Sequence, residues 1–232
     1  MDHGIEQRFA AYCDAITEVM EHVDRRVPAQ WYLKGLILPG ERKSVEPMAA
    51  RVCPDNVRSA HQSMHHLVAA AGWSDRAVLA AAARQVVPEL LKTGRQCWWI
   101  LDDTSHVKKG EHSVGVARQY CGRLGKQDNC QVAVSLSLAT VRGSLPLDYQ
   151  LYLPHEWTDD RVRCDKAGVP EEIEFCSKGS LAREQIERAL AAGIARGIVL
   201  GDAWYGTEAD FRDWLSEQGL SYVLGVRAST AV

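Results

Sequence analysis

The sequence of 232 residues lacks the features of a membrane or exported protein. No apolar run approaches the roughly 18–20 residues that a membrane helix needs. The N-terminus, Met1 to Glu6, has neither a basic region nor an apolar signal region. The seven cysteines are an odd number, and none form a Cys-x-x-Cys motif, which favours reduced thiols. We therefore expect a cytoplasmic protein without a membrane partner.

An overall positive charge is also missing, because the formal net charge is −3. The charge is distributed unevenly: the stretch from Thr104 to Leu147 contains six basic and two acidic residues, which gives it a charge of +4. Phosphate binding depends on such a local patch rather than on the net charge of the chain. The basic residues are Lys108, Lys109, Arg118, Arg123, Lys126 and Arg142. Nucleic acid therefore stays a candidate partner.

The first 94 residues have the pattern of a small helical bundle. Apolar residues recur at helical spacing, and Pro39-Gly40 and Pro54-Asp55-Asn56 interrupt them. We predict a helical region over 1–94, which ends at Thr93-Gly94 and is a candidate for DNA binding, and a second domain over 95–232. His61 and His65 share a helix face, but no glutamate or cysteine lies at a useful spacing, so solvated or DNA-facing histidines are favoured over a metal site.

Two apolar runs of strand length each end in aspartate, at Asp102-Asp103 and at Asp202. A buried strand that carries a carboxylate at its C-terminal end is a common support for a catalytic metal ion. Successive side chains on a strand point to opposite faces, so we rank Asp102 above Asp103 as the ligand. For Asp102 alone, a carboxylate that caps a turn is the alternative.

The second domain alternates between predicted strands and helices. Three strands joined by short turns predict an antiparallel meander, and Thr207 is expected to cap the last helix. The strands are predicted at 98–103, 113–122, 130–141, 145–153, 197–202 and 220–226, the helices at 180–192 and 207–218, and irregular chain at 154–170. This order resembles the α/β ribonuclease H-like fold, a mixed sheet with flanking helices. In that fold the first and fourth strands carry carboxylates, and Asp102 and Asp202 fall at those places.

Five segments in a fixed order then make the resemblance specific. Together they resemble a bacterial insertion-sequence transposase with a DDE nuclease domain, from about Gln30 to Val226. The segments are Leu101-Asp102-Asp103-Thr104 with Lys108-Lys109-Gly110, His112 to Tyr120, Gly125 to Val132, Leu151 to Trp157, and Gly201-Asp202 with Tyr205-Gly206.

The resemblance implies metal-dependent phosphoryl transfer on DNA, with three carboxylates and two Mg²⁺ ions, or Mn²⁺ in their place. Asp102 and Asp202 match the first two catalytic acids, and Asp103 is a further candidate metal ligand. The implied partners are the terminal inverted repeats of a mobile element and a second copy of the chain on that DNA. The residues expected to hold the DNA backbone are Lys108, Lys109, Arg118, Arg123 and Lys126.

The third acid of the family is a glutamate on a helix after the last core strand. This chain reaches Val232 first, and Glu208 and Glu217 precede that strand. We therefore expect an incomplete catalytic domain, with a catalytically inactive DNA-binding remnant as the alternative to an active enzyme. A phosphatase with an aspartate nucleophile is disfavoured, since that class uses Asp-x-Asp. Trp204 and Tyr205 are expected in the core rather than stacked on a base.

Overall fold

The computed structural model describes residues 3–94 and 96–230. Two compact units are present, Met1–Gln85 and Val86–Val232. The division falls inside one helix, Asp75–Leu90, and thus before the predicted boundary at Thr93-Gly94. Within the described ranges, no helix is both long and apolar enough to cross a bilayer.

The first unit is helical. Its core contains Met48, Ala49, Ala60 and Met64, all with no exposed surface, and Trp31 packs against them. Its helices are α1 (His3–Thr17), α2 (Val23–Ile37), α3 (Val45–Val52) and α4 (Val57–Ala69), and the division between the units falls inside α5 (Asp75–Leu90). A role of this unit in DNA binding stays a prediction.

The second unit contains the sheet and shorter helices. Its strands are β1 (Trp98–Val107), β2 (Ala117–Cys121), β3 (Lys126–Thr140), β4 (Gly143–Tyr152), β5 (Ile198–Gly201) and β6 (Tyr222–Leu224). Its helices are α6 (His155–Thr158), α7 (Arg161–Lys166), α8 (Lys178–Ala191), α9 (Ala203–Thr207) and α10 (Ala209–Glu217).

The sheet is mixed, in the order β2-β3-β1-β5-β6, and β4 also pairs with β3. The long strand β3 is antiparallel to β1, β2 and β4, whereas β1, β5 and β6 run parallel. The predicted ribonuclease H-like mixed sheet with flanking helices is confirmed. The predicted simple meander is not observed, because β1 pairs along its whole length with β3.

Two local predictions are wrong. The stretch predicted as irregular contains α6 and α7, which bury Trp157 and Cys164, and the Trp157 indole N–H donates to the oxygen of Val116 at 2.7 Å. Thr207 caps no helix: its hydroxyl donates to the oxygen of Ala203 within α9. The helix predicted at 207–218 is present as α10. A short helix that was not predicted, α9, precedes it and is capped by Asp202.

One face of the sheet is packed under α8. Trp99 and Leu101 of β1 and the facing residues Val134, Leu136 and Leu138 of β3 are buried. On α8, Gln185 is buried and its amide donates to the oxygen of Val134 at 3.0 Å. Because side chains alternate along a strand, the next β1 residue on this covered face is Asp103.

We expect Gly206→Ala to destabilise the second unit. A Cβ at Gly206 would overlap the backbone oxygen of Gly225, directly after β6, and backbone cannot move aside cheaply. Overpacking of this kind costs about 1–3 kcal/mol of the free energy of unfolding. Urea denaturation measures this loss. Gly110→Ala is the matched control, since a Cβ there meets open space, and equal urea midpoints for the two variants would contradict the close approach.

Candidate active site

The Asp103 carboxylate lies on the covered face of the sheet with both oxygens engaged. Its Oδ1 accepts a hydrogen bond from the Tyr205 hydroxyl at 2.7 Å. Its Oδ2 contacts the Lys178 ammonium at 2.5 Å. The side chain of Asp103 is 25% exposed, so these two contacts hold it in a partly shielded position.

Asp202 follows the last residue of β5 and caps α9. Its Oδ1 accepts the backbone N–H of Trp204 at 2.9 Å. One turn further along α9, Tyr205 is buried and donates to Asp103. The short helix α9 therefore starts at one aspartate and contacts the other.

The pKa of Tyr205 also reflects the neighbouring carboxylates. Burial raises this pKa most, and the negative charge of Asp103 and the hydrogen bond to it raise it further. The charges of Asp202 and then of Asp102 add smaller effects in the same direction. The phenol thus stays protonated and remains a hydrogen-bond donor among the three carboxylates.

Asp102 is placed differently from Asp103. It is exposed, it pairs with Ser135 of β3, and its Oδ1 accepts the backbone N–H of Asp103 at 2.8 Å. The register between β1 and β5 would bring Asp102 level with Asp202, since Ile100 pairs with Leu200. However, β5 ends at Gly201 and Asp202 already belongs to the start of α9.

Lys178 was not predicted as a site residue. It is the first residue of α8, which the Ser177 side chain caps. Its Nζ lies 5.3 Å from the centre of the Tyr152 ring and 5.6 Å from that of the Trp204 ring. Lys178 lies 75 residues from Asp103 in the chain, and no local motif marks that distance, so only the tertiary structure could reveal the pair.

The donor atoms suit a hard divalent cation. Carboxylate oxygens, with retained waters, are the ligands that Mg²⁺ prefers, and Asp103 already holds a cation in the form of the Lys178 ammonium. Asp103 and Asp202 therefore fit part of a metal site. Over 3–94 and 96–230, no three His, Cys, Asp or Glu side chains come together as a metal-binding cluster.

Comparison with known proteins identifies the family. A family model described as DDE superfamily endonuclease matches residues 15–232. The chain belongs to this family.

A curated relative, the "Probable transposase for insertion sequence element IS701" of Microchaete diplosiphon, is 30% identical over 197 residues. The match covers 84% of this chain and 47% of the relative, so the chain spans about half the length of that relative. The predicted resemblance to insertion-sequence transposases with a DDE domain is confirmed.

The basic residues predicted to hold DNA lie around one hairpin of the DDE domain. Lys108 and Lys109 directly follow β1, Arg118 is on β2, and Arg123 is in the turn before Lys126, the first residue of β3. All except the half-buried Lys108 are exposed. The amide of Asn129 donates to the oxygens of Lys108 and Gly110, which ties the segment after β1 to the hairpin.

We expect Tyr205→Phe to reduce stability by removing a hydrogen bond to a charged acceptor, which contributes about 1.5–3 kcal/mol. The folded-state pKa of Tyr205 lies above its ordinary value of 10.0. The contribution of the protonated hydroxyl is therefore complete below pH 10.0 and is lost as the pH rises above that value. The wild type should consequently lose stability more steeply at alkaline pH than Tyr205→Phe.

Urea denaturation between about pH 8 and 11 measures both effects. Tyr120→Phe, at a tyrosine that is 62% exposed, is the control. Identical curves for Tyr205→Phe and Tyr120→Phe would contradict the assigned hydrogen bond.

Proposed function

We propose that this chain acts in metal-dependent cleavage and transfer of DNA strands at the ends of an insertion sequence. It supplies two acids of a DDE site, Asp103 and Asp202, and a basic hairpin for DNA. The observation that carries the proposal is the link through α9, which Asp202 caps and from which Tyr205 reaches Asp103. Membership of the DDE family supports the reaction class.

Asp103 is proposed as the first acid in place of Asp102, which the sequence analysis ranked higher. Asp103 is the carboxylate that contacts both Tyr205 and Lys178, and its charge affects Tyr205 most among the three aspartates. Asp102 is exposed and holds the backbone N–H of Asp103. In this arrangement Asp102 holds the backbone of β1 next to Asp103 rather than the metal.

Mg²⁺, with Mn²⁺ as a substitute, is the proposed cofactor, and a site with two ions is the arrangement expected of the family. Asp103 and Asp202 would hold the metal. When bound, such ions help a hydroxyl group attack a phosphodiester and stabilise the charge that develops on the leaving oxygen. The chain itself orients the carboxylates, through Tyr205 at Asp103 and through the α9 backbone at Asp202.

The hairpin is the proposed contact with the DNA backbone. Its exposed cations Lys109, Arg118 and Arg123 come from three successive segments that strand pairing brings together. Val107, at the end of β1, lies four residues from Asp103, or roughly 13 Å along a strand. That separation allows one DNA strand to contact both the hairpin and the acids. A second copy of the chain on the DNA is proposed from the family alone.

DNA binding without cleavage is the second candidate function. It is favoured by the lack of a three-ligand cluster in the part of the chain that the structure describes. In that case the hairpin would bind element ends, and the two aspartates would have no catalytic output. The two functions differ in whether bound DNA is cut.

A single assay separates them. Labelled duplexes that cover the two ends of the element encoding the chain are incubated with Mg²⁺, and both gel shift and strand cleavage are measured. We expect Asp103→Asn and Asp202→Asn to abolish cleavage and to keep the gel shift, and Asp102→Asn to keep both. Replacing Lys108 and Lys109 by alanine should weaken the gel shift and its salt dependence, by about 0.9 in the log–log slope for each lost phosphate contact.

A gel shift without cleavage by the wild type would favour the second candidate. No binding of the element ends at any salt concentration would contradict both functions.

A further inference from the structure

Lys178 lies at a helix N-terminus, where a positively charged side chain is unfavourable. It is the first residue of α8, whose first turn contains no acidic residue. The backbone dipole gives a helix N-terminus a partial positive charge, so a cation there is repelled. The compensation comes from another element, because Asp103 on β1 contacts the ammonium at 2.5 Å. The ammonium position is therefore set by Asp103.

The pair is also shielded from water. The side chains of Lys178 and Asp103 are 16% and 25% exposed. The rings of Tyr152 and Trp204 lie within 6 Å of the ammonium, at distances where an aromatic face attracts a cation. Partial burial weakens screening by salt, so this contact is stronger than an exposed surface pair.

Both oxygens of Asp103 are thus occupied, one by a neutral donor and one by a cation. Tyr205 holds Oδ1 and Lys178 holds Oδ2. A metal ion at this carboxylate would meet the ammonium in a half-buried site, where two cations repel each other strongly. The Tyr205 hydroxyl carries no charge and raises no such conflict.

We propose that Lys178 is a resident counter-ion of the candidate metal site, which competes with the divalent ion for the Asp103 carboxylate. This inference rests on the proposed function, because it takes Asp103 as a metal ligand. The ammonium fixes the carboxylate while no metal is bound, and it leaves the oxygen when the metal binds. Lys178 is a positioning residue in this account and lowers the apparent affinity for metal.

The test is calorimetric titration of the whole chain with Mn²⁺. Lys178→Met keeps the length of the side chain but removes its charge. We expect this variant to bind Mn²⁺ at least about fivefold more tightly than the wild type, a typical size for coupling between two sites. Lys92→Met is the matched control, since Lys92 also pairs with a carboxylate, Glu89, but at an exposed position. Its affinity should equal that of the wild type.

The outcomes separate this inference from the proposed function. If Asp103→Asn abolishes binding while Lys178→Met binds as the wild type does or more weakly, the metal site stands and the competition is refuted. If no variant binds Mn²⁺, the proposed metal site and the inference both fail. If Lys178→Met binds Mn²⁺ more tightly than the wild type does and Asp103→Asn does not bind it, the metal site and the competition are both supported.

A second measurement needs no substitution at Lys178. Reductive methylation of lysines, followed by mass spectrometry, reports how free each amine is. Lys178 should react more slowly than the exposed Lys109 in the wild type, and faster after addition of Mn²⁺, because the metal displaces it. An unchanged rate at Lys178 on saturation with Mn²⁺ would refute the inference, and it decides the matter if circular dichroism shows that Lys178→Met does not fold.

Discussion

The Asp103 carboxylate joins three elements that are far apart in the chain: β1, which carries it, α8, which contributes Lys178, and α9, which contributes Tyr205. A half-buried carboxylate is costly unless it is paired and hydrogen-bonded. Both conditions are met here by residues from different helices. The contacts that hold α8 and α9 against β1 are therefore the same contacts that shape the candidate site.

The sheet explains how the two proposed acids are placed. Parallel pairing of β1 with β5 brings the C-terminal end of β5 level with the middle of β1, just before Asp102 and Asp103. Gly201, the last residue of β5, and Gly206 in α9 then allow close packing against β6 and the residue after it, since a Cβ at Gly206 would overlap the backbone of Gly225 and one at Gly201 would approach Leu224. The aspartate at the end of β5 can cap α9 while the next turn of that helix reaches β1. In this sheet β1 is antiparallel to β3 and parallel to β5, and a carboxylate can be placed on β1 and another directly after β5 without a long loop.

Much of this fold could be predicted from the sequence. The apolar runs before Asp102 and Asp202 predicted the strands that flank the site, and alternation along 130–141 predicted β3. The prediction that Thr207 caps a helix is wrong because its hydroxyl donates to a backbone oxygen inside α9. A capping-box pattern in the sequence does not distinguish that hydrogen bond from a cap.

The relation between Asp102 and Asp103 shows where sequence reasoning ends. Alternation correctly separates them onto opposite faces, but it does not tell which face receives the second acid. That depends on Lys178 and Tyr205, which lie 75 and 102 residues from Asp103 in the chain. The clustering of the basic residues was easier to predict, because it follows from a hairpin of adjacent strands. Their contact with DNA stays a prediction.

We propose that Asp103 and Asp202, and not Asp102, face the metal. Anomalous diffraction from crystals grown with Mn²⁺ would locate the ion. We expect an anomalous peak at roughly 2.0–2.3 Å from carboxylate oxygens of both Asp103 and Asp202, with the Lys178 ammonium moved away from Asp103. A peak at Asp102, with Asp103 still paired to Lys178, would contradict it.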